Sequence, residues 1–236
     1  MSPKRKGPGG PDPDSGISSG RGKGAEAARL HAVRTALAHD LVRAGQVLDR
    51  LGMIVATEGN LSARLARDRI LITRRARRKG DLTLRDFVEL ALDEPTDSQA
   101  RHASSSEHRM HLAAYAVRPD IEALVHAHPI GLSAYAVRRE APDVRALDEA
   151  RTILRRIGLV PFHPSGTEAL AQAVSAALAG AGGDPGADVL VLANHGAIAV
   201  GGSVEEALCR LEIAEHLAVT LLYAERRGPP FNPRGS

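Results

Sequence analysis

Between residues 25 and 51, apolar side chains recur at intervals of three and four residues, the period of one face of an α-helix. Gly52 follows at once and is a typical helix end. We therefore predict a long amphipathic helix, whose inner face carries Leu30, Val33, Leu37, Leu41, Ala44, Val47, Leu48 and Leu51.

Shorter apolar segments alternate with turn residues over the rest of the chain. Residues 61–65 and 69–73 predict a hairpin that turns at Arg67 and Asp68. Further strands are expected at residues 88–92, 124–128, 158–162, 188–193 and 197–200. Helices are expected to start at Thr83–Asp86 and at Ser106 (to about residue 117) and to span residues 151–156, 168–178 and 203–226, with a polar loop at 93–102.

Strands and helices of these lengths, in alternation, predict a single α/β domain with a central sheet flanked by helices. The early hairpin argues against an all-parallel sheet, because a tight turn joins antiparallel strands.

Composition narrows the class of protein. The chain has 236 residues, no tryptophan and 3% aromatic residues, so we expect one domain with an aliphatic core. Cys209 is the only cysteine, which excludes an internal disulfide, and we expect a buried helix residue rather than a nucleophile. No apolar run approaches the roughly 20 residues that span a bilayer, and no signal-peptide core is found. A soluble, cytoplasmic protein without a membrane partner is expected.

The excess basic charge lies in the first 24 residues. Five of the 31 basic side chains but only two of the 28 acidic ones are there, which leaves 26 of each in residues 25–236. Because residues 1–24 are also rich in Gly and Pro, we expect a disordered basic tail, then a catalytic domain over 25–228 and a flexible tail over 229–236. The domain is neutral, so the pI of about 9.3 predicts no specific nucleic-acid partner.

Candidate metal ligands stand at the ends of two predicted strands. His126 and His128 are two residues apart in an apolar strand and so project from one face, roughly 6–7 Å apart at Cα. His195 follows the strand 188–193 by two residues. Each could alone be a hydrogen-bonded core histidine. Together, three imidazoles and one open position are typical of a catalytic zinc site, and they predict a divalent metal, zinc in first place.

Other features leave alternatives open. Glu107 and His111, four residues apart on one helix, could form a rival metal site, which we disfavour because the strand histidines already supply ligands. The turn at residues 57–60 could present its N–H groups to an anion or be an ordinary tight turn. The serines at 105 and 106 stand at a helix start, where free N–H groups also favour an anion.

Four motifs follow one another in the chain: Glu58–Arg64 (EGNLSAR), Ser105–Glu107 (SSE), His126–His128 (HAH) and Asn194–Gly196 (NHG). In this order they resemble the class II aldolase/adducin family, over about residues 25–224. The resemblance implies a layered domain with a mostly antiparallel sheet between helices. It also implies a homotetramer with active sites at the subunit interfaces.

The resemblance assigns roles to single residues. Glu107 matches the family's acid/base glutamate, and His126, His128 and His195 match its metal ligands. An ion held there would bind a ketone oxygen and the neighbouring hydroxyl and stabilise the enediolate of a retro-aldol cleavage, while Glu107 moves protons. The residues that match the family's phosphate pocket are Gly59, Asn60, Ser105 and Ser106, and Thr73, Arg74 and Arg75 are further candidates.

The chain departs from the family pattern in two places. The family completes its phosphate pocket with a Thr-x-Ser/Thr-Gly turn, whereas Thr73 is followed by RRARRK without a glycine. Such a run is usually a solvated loop, although Arg suits phosphate or carboxylate groups. The resemblance also implies a proton-donating tyrosine about 21 residues after His126, where this chain has Leu147. Tyr135 and Tyr223 do not convincingly replace it.

Our first hypothesis is a metal-dependent lyase that cleaves a short ketose 1-phosphate, of the L-fuculose 1-phosphate type, to dihydroxyacetone phosphate and an aldehyde. The runner-up uses the same metal site to decarboxylate, dehydrate or epimerise a hydroxylated or keto acid. A noncatalytic, adducin-like binding module is the alternative of another class. The intact histidines and Glu107 argue against that module.

Overall fold

The computed structural model describes residues 18–92, 98–180 and 186–225, and within these ranges helices cover both faces of one sheet. The helices are α1 (Ser18–Arg50), α2 (Ser98–Ala103), α3 (His108–Val117), α4 (Ile130–Arg138), α5 (Asp148–Ile153), α6 (Glu168–Ala179) and α7 (Val204–Glu225). The strands are β1 (Asn60–Ala66), β2 (Arg69–Thr73), β3 (Phe87–Ala91), β4 (Ala123–Ala127), β5 (Ile157–Val160), β6 (Val189–Leu192) and β7 (Gly196–Gly201).

The sheet has the strand order β3-β2-β1-β4-β7-β6-β5. Neighbouring strands are antiparallel except for β5 and β6, which are parallel and are connected through α6. This arrangement confirms the predicted single α/β domain with a mostly antiparallel sheet. Strand β4 lies at its centre, between β1 and β7, so His126 is delivered to the middle of the domain.

Alternation along the strands divides the core into two layers. Leu61, Leu71 and Val125 pack on one face with helices α1, α4, α5 and α7. Ile70, Ile72 and Leu124 pack on the other face with α3 and α6. His126 has the parity of Leu124 and therefore projects towards α3.

Several predicted boundaries needed correction. The expected helix start at Thr83 is wrong: Thr83 donates from its backbone N and its Oγ1 to Asp86 Oδ2 (2.9 and 2.8 Å), and the chain then enters β3. The expected loop at 93–102 contains the start of α2, while residues 93–97 lie outside the described part. Helix α3 has Glu107 as its N-cap residue instead of Ser106. The short helix expected at 151–156 is α5, three residues earlier, and α4 was not predicted.

Helix α1 begins at Ser18, inside the segment predicted as a disordered tail. Residues 1–17 of that tail, and the C-terminal tail 229–236, lie outside the described residues. None of the helices described is both long enough and apolar enough to cross a membrane.

Candidate metal centre and its cavity

The three predicted histidines meet in space. The ring centroids of His126, His128 and His195 lie 4.9–5.0 Å apart, with the rings tilted edge to face. One nitrogen of each ring lies within 4.8 Å of the other two. Nitrogen atoms that converge in this way surround a position that one ion can share, so the geometry fits a divalent metal.

The chain brings these rings together through strand pairing and one close approach. His126 pairs with Ile198 of β7, and His195 stands in the turn between β6 and β7, next to the end of β4. A Cβ atom at Gly196 would come within 2.4 Å of the His128 ring and 2.7 Å of Ala127 O. The glycine of the NHG motif therefore makes room for the ring of a candidate metal ligand.

Hydrogen bonds orient two of the rings. His126 Nδ1 lies 2.9 Å from Ala197 O and donates to it, so Nε2 is the nitrogen that faces the candidate metal position. His128 Nδ1 lies 3.3 Å from Glu58 Oε2, which favours the same tautomer. Burial, and then the nearby His126, lower the pKa of His128 and of His195 to about 4. Both rings are therefore neutral near pH 7, as metal ligands must be.

Glu107 completes the centre. Its Oε2 accepts from Asn60 Nδ2 (2.9 Å) and lies 3.0 Å from His126 Nε2, and its Oε1 accepts from Ser165 Oγ (2.8 Å) and lies 3.4 Å from His195 Nε2. Burial raises the pKa of this carboxyl, but the contacts with His126, His195 and Asn60 outweigh burial and hold the pKa well below its usual range. A buried carboxylate at the open side of three imidazoles is a candidate proton carrier.

A chain of buried hydrogen bonds ends on Glu107. Asn60 Oδ1 contacts His111 Nε2, His111 Nδ1 lies 2.6 Å from Ser62 Oγ, and Ser62 Oγ lies 2.9 Å from Tyr115 OH. Because the ionised carboxylate only accepts, Asn60 donates to it, His111 donates to Asn60, Ser62 donates to His111 and Tyr115 donates to Ser62. Burial lowers the pKa of His111 to about 3, so its ring is neutral, as this order requires.

These hydrogen bonds argue against the rival metal site at Glu107 and His111. Both nitrogens of His111 are engaged with Asn60 and Ser62, and the ring is fully buried. Within the described residues, the cluster with metal-binding geometry is His126, His128 and His195.

A cavity of about 290 Å³ opens on the metal centre. Gly59, Asn60, Ser105, Ser106, Arg74 and Arg75 line it together with His128, His195 and Glu107, so the predicted phosphate-binding residues share one space with the predicted ligands. Thr73 is buried and accepts from Leu61 N (3.2 Å) through its hydroxyl, which makes it a support rather than a wall of the cavity. A larger groove of about 660 Å³ lies elsewhere, beside Arg64 and Pro119, and contains none of these histidines.

The arginine run is only partly a solvated loop. Arg77 and Arg78 are exposed and pair with Asp86 (3.0 Å) and Asp81 (3.7 Å), whereas Arg74 and Arg75 line the cavity. Ala76 has φ 55°, the left-handed conformation that a glycine adopts more easily. The chain thus makes a tight turn here even though it has Ala where the family pattern has Gly.

Three residues of the site were not predicted. Ser165 bonds Glu107, Glu58 contacts His128, and Lys79 lines the cavity from the end of the arginine run. Ser165 stands in the loop after β5, where a polar HPSGT sequence was the available signal. Leu147, at the position where the resemblance implied a tyrosine, is a partly buried apolar residue before α5.

Comparisons with known proteins identify the family and the fold of the chain. The profile of the "Class II Aldolase and Adducin N-terminal domain" matches residues 39–222. The chain belongs to the class II aldolase and adducin family. Within it, the chain is 33% identical over 189 residues to a methylthioribulose-1-phosphate dehydratase of Acidiphilium cryptum, covering 76% of this chain and 87% of the relative.

Two further members of the class II aldolase family are similar to the chain. A 5-methylthioribulose-1-phosphate/5-deoxyribulose-1-phosphate aldolase of Rhodospirillum rubrum is 33% identical over 189 residues, with 78% of this chain and 80% of the relative covered. The crystal structure of L-fuculose-1-phosphate aldolase from Thermus thermophilus superposes with a TM-score of 0.70 at 29% identity, over 83% of this chain and 98% of that one. The predicted family and fold are confirmed, and the chain is a metal-dependent lyase of the class II aldolase type.

Proposed function

We propose that the chain cleaves a ribulose-type ketose 1-phosphate by a retro-aldol reaction, giving dihydroxyacetone phosphate and an aldehyde. The observation that carries this proposal is the position of Glu107, whose carboxylate faces both the histidine nitrogens and the cavity. The substrate class is supported by the Rhodospirillum rubrum aldolase and the Acidiphilium cryptum dehydratase, whose names both contain methylthioribulose 1-phosphate.

A divalent ion at His126, His128 and His195, zinc in first place, would supply Lewis-acid polarisation of the substrate ketone. Glu107 takes the proton of the C4 hydroxyl as the C3–C4 bond breaks and its electron pair stays on C3. Glu107 then returns that proton to C3, so no net proton is gained or lost. Oε1 is the oxygen suited to this transfer, because its contact with His195 is the longer one and Ser165 donates to it from the exposed side.

Dehydration of the same substrate is the second candidate. Within the described residues no tyrosine lines the cavity, so one chain does not itself supply the donor that the resemblance implied for aldol cleavage. In a dehydration, Glu107 would remove the C3 proton and return it to the hydroxyl that leaves C4. The Acidiphilium cryptum relative carries the name of such an enzyme.

Product analysis separates the two reactions. The purified protein with added Zn²⁺, Mn²⁺, Co²⁺ or Fe²⁺ is given 5-methylthioribulose 1-phosphate, 5-deoxyribulose 1-phosphate or L-fuculose 1-phosphate. Cleavage yields dihydroxyacetone phosphate, and dehydration yields a product lighter by one water. If the protein turns over only hydroxy or keto acids, the proposed ketose-phosphate substrate class is wrong. If it binds none of these ions, the noncatalytic, adducin-like module is favoured.

Assembly into a homotetramer with interfacial sites is part of the proposal. Val55 and Ile130 are 66% and 77% exposed, and they flank the backbone hydrogen bond from His128 N to Met53 O (3.0 Å) beside the metal centre. Apolar side chains of this size at the edge of a site suit burial against a second subunit. A cytoplasmic location stays a prediction from the sequence.

A further inference from the structure

Lys79 is a buried ammonium group in the wall of the cavity. The residue is 2% exposed and lines the same space as His128, His195 and Glu107. Its Nζ donates to Thr57 O (2.6 Å) and Arg77 O (2.8 Å). Because an ammonium group has three N–H donors, these two bonds leave one for a ligand. The other lysines of the chain are Lys4, Lys6 and Lys23, so Lys79 is the only lysine of the predicted domain, and all its remaining Lys or Arg positions are arginine.

In the described part of the chain, no carboxylate directly pairs with this buried charge. Among the described residues, no carboxylate lies within 4.0 Å of Lys79 Nζ, although Glu107 and Glu58 attract it from farther away. Burial lowers the pKa of Lys79 to about 8, and the two glutamates oppose that shift. Buried charges in proteins are normally paired, because an uncompensated ion loses its hydration energy. An anion in the cavity would supply the missing partner.

The ammonium group is held in place from both sides. Lys79–Asp81 form a 3-10 turn that packs against α1, where a Cβ at Gly45 would come within 2.3 Å of Lys79 O. The two Nζ bonds join the turn before β1 to the arginine loop, and both segments carry predicted phosphate-binding residues. A cation fixed in this way needs little reorganisation when a ligand arrives.

We propose that Lys79 binds the phosphate group of the substrate, as a fixed cation in the wall of a pocket that Arg74 and Arg75 also line. The inference rests on the proposed function, since it names a group in the same cavity for a phosphorylated substrate. Two arginines near the surface attract the dianion, and the enclosed ammonium supplies the short, charge-assisted bond.

The test measures inorganic phosphate binding to the metal-loaded protein by calorimetry. Lys79→Gln should weaken binding by roughly 10- to 150-fold, the range for a lost hydrogen bond to a charged group. Lys79→Arg keeps the charge and should lie between Lys79→Gln and the parent. Arg78→Gln is the matched control: it removes the same charge from the neighbouring position, whose side chain is exposed and paired with Asp81, and it should bind phosphate like the parent.

Phosphate-induced thermal stabilisation keeps the test valid if Lys79→Gln is less stable, because each variant is compared with itself. The parent should gain in melting temperature with phosphate and Lys79→Gln should gain little. An equal gain in both, or equal dissociation constants, would overturn the proposal and leave Lys79 as a link between two loops.

A pH series adds a readout that a structural link would not move. Phosphate affinity of the parent should fall as pH rises through about 8, because the neutral amine offers no charge, whereas Lys79→Arg should show no such fall. The same slope in both proteins would contradict the proposal. The charged or titratable groups around Lys79 include Glu58, Glu107, His126, His128, His195, Arg74, Arg75, Arg77 and Asp49.

The two proposals fail separately. If the parent protein turns over a ketose phosphate and Lys79→Gln binds phosphate as tightly as the parent, the role of Lys79 is contradicted and the proposed function stands. If Lys79→Gln binds phosphate more weakly but the parent protein turns over no ketose phosphate, the anion site is supported and the proposed reaction is contradicted.

Discussion

Substitutions around the candidate metal position should separate metal binding from proton transfer. We predict that His126→Ala, His128→Ala and His195→Ala each lose the ion, because two imidazoles leave it short of protein ligands. Glu107→Gln should keep the ion and the fold but lose about 10²–10⁴-fold in turnover, the scale for removing a general acid or base. Metal analysis beside steady-state kinetics makes the distinction. Metal retained in all three histidine variants would remove the proposed centre.

His111 is expected to act on Glu107 through Asn60. In His111→Leu nothing donates to Asn60 Oδ1, so the amide is free to turn and its bond to Glu107 weakens. We expect turnover to fall while metal content is kept, and His111→Gln to restore much of the rate, because an amide can both donate to Asn60 and accept from Ser62.

A double-mutant cycle with Asn60→Ala tests this path. If His111 acts through Asn60, then His111→Leu should cost little extra turnover once Asn60 is gone, with a coupling within the roughly 0.5–3 kcal/mol found for contacting residues. Additive losses would show that His111 supports the fold and not the carboxylate.

At the scale of single residues, most of the candidate metal centre could be predicted from the sequence. His126, His128 and His195 were identifiable because strand alternation and strand ends are visible as patterns. Lys79 was not identifiable, since a lysine after four arginines in a five-residue run looks like a solvated surface. Its burial depends on the packing of residues 79–81 against α1, which is a contact between distant parts of the chain.

Among the elements, the turn after β2 carries a local strain that can be measured. Ala76 has positive φ, and a left-handed conformation costs a non-glycine residue about 1 kcal/mol. Ala76→Gly should therefore raise the free energy of unfolding by up to about 1 kcal/mol. Ala176→Gly is the control with the opposite sign: this exposed position in helix α6 should lose about 1 kcal/mol.

Chemical denaturation of both glycine variants provides the measurement. If Ala76→Gly is as destabilising as Ala176→Gly, the strained turn is not a feature of the folded protein.

Element prediction succeeded where the chain's own periodicity decides the structure. The hairpin β1–β2 and helix α6 follow from strand alternation and from a Thr167 cap that accepts from Leu170 N (3.2 Å). The helix expected at Thr83 failed because the pairing of β3 with β2 outweighs a local capping signal. Helix α4 escaped prediction because its nine residues are short and follow Pro129 directly.

At the scale of the whole molecule, the proposed assembly into a tetramer can be tested with one substitution. Ile130 is the first residue of α4, and its side chain is 77% exposed, so a charged side chain at this position stays in solvent in the single chain. Ile130→Glu should therefore fold and bind metal, yet dissociate the proposed tetramer, because a charge would replace the apolar contact that the proposal assigns to this side chain. Sedimentation velocity measures the mass, and Ile130→Val is the control. An unchanged mass for Ile130→Glu would exclude this face from the interface.

The hydrogen bonds that run from Tyr115 to Glu107 also give the protein a built-in reporter. The proton that His111 shares with Asn60 lies between two buried side chains, so it should exchange slowly with water and give its own downfield signal in a proton NMR spectrum. Each donor in that series responds to the charge of the next acceptor. A change in the electrical state of Glu107, whether from a metal, a proton or a substrate, would then be visible as a frequency shift at an atom that touches none of them.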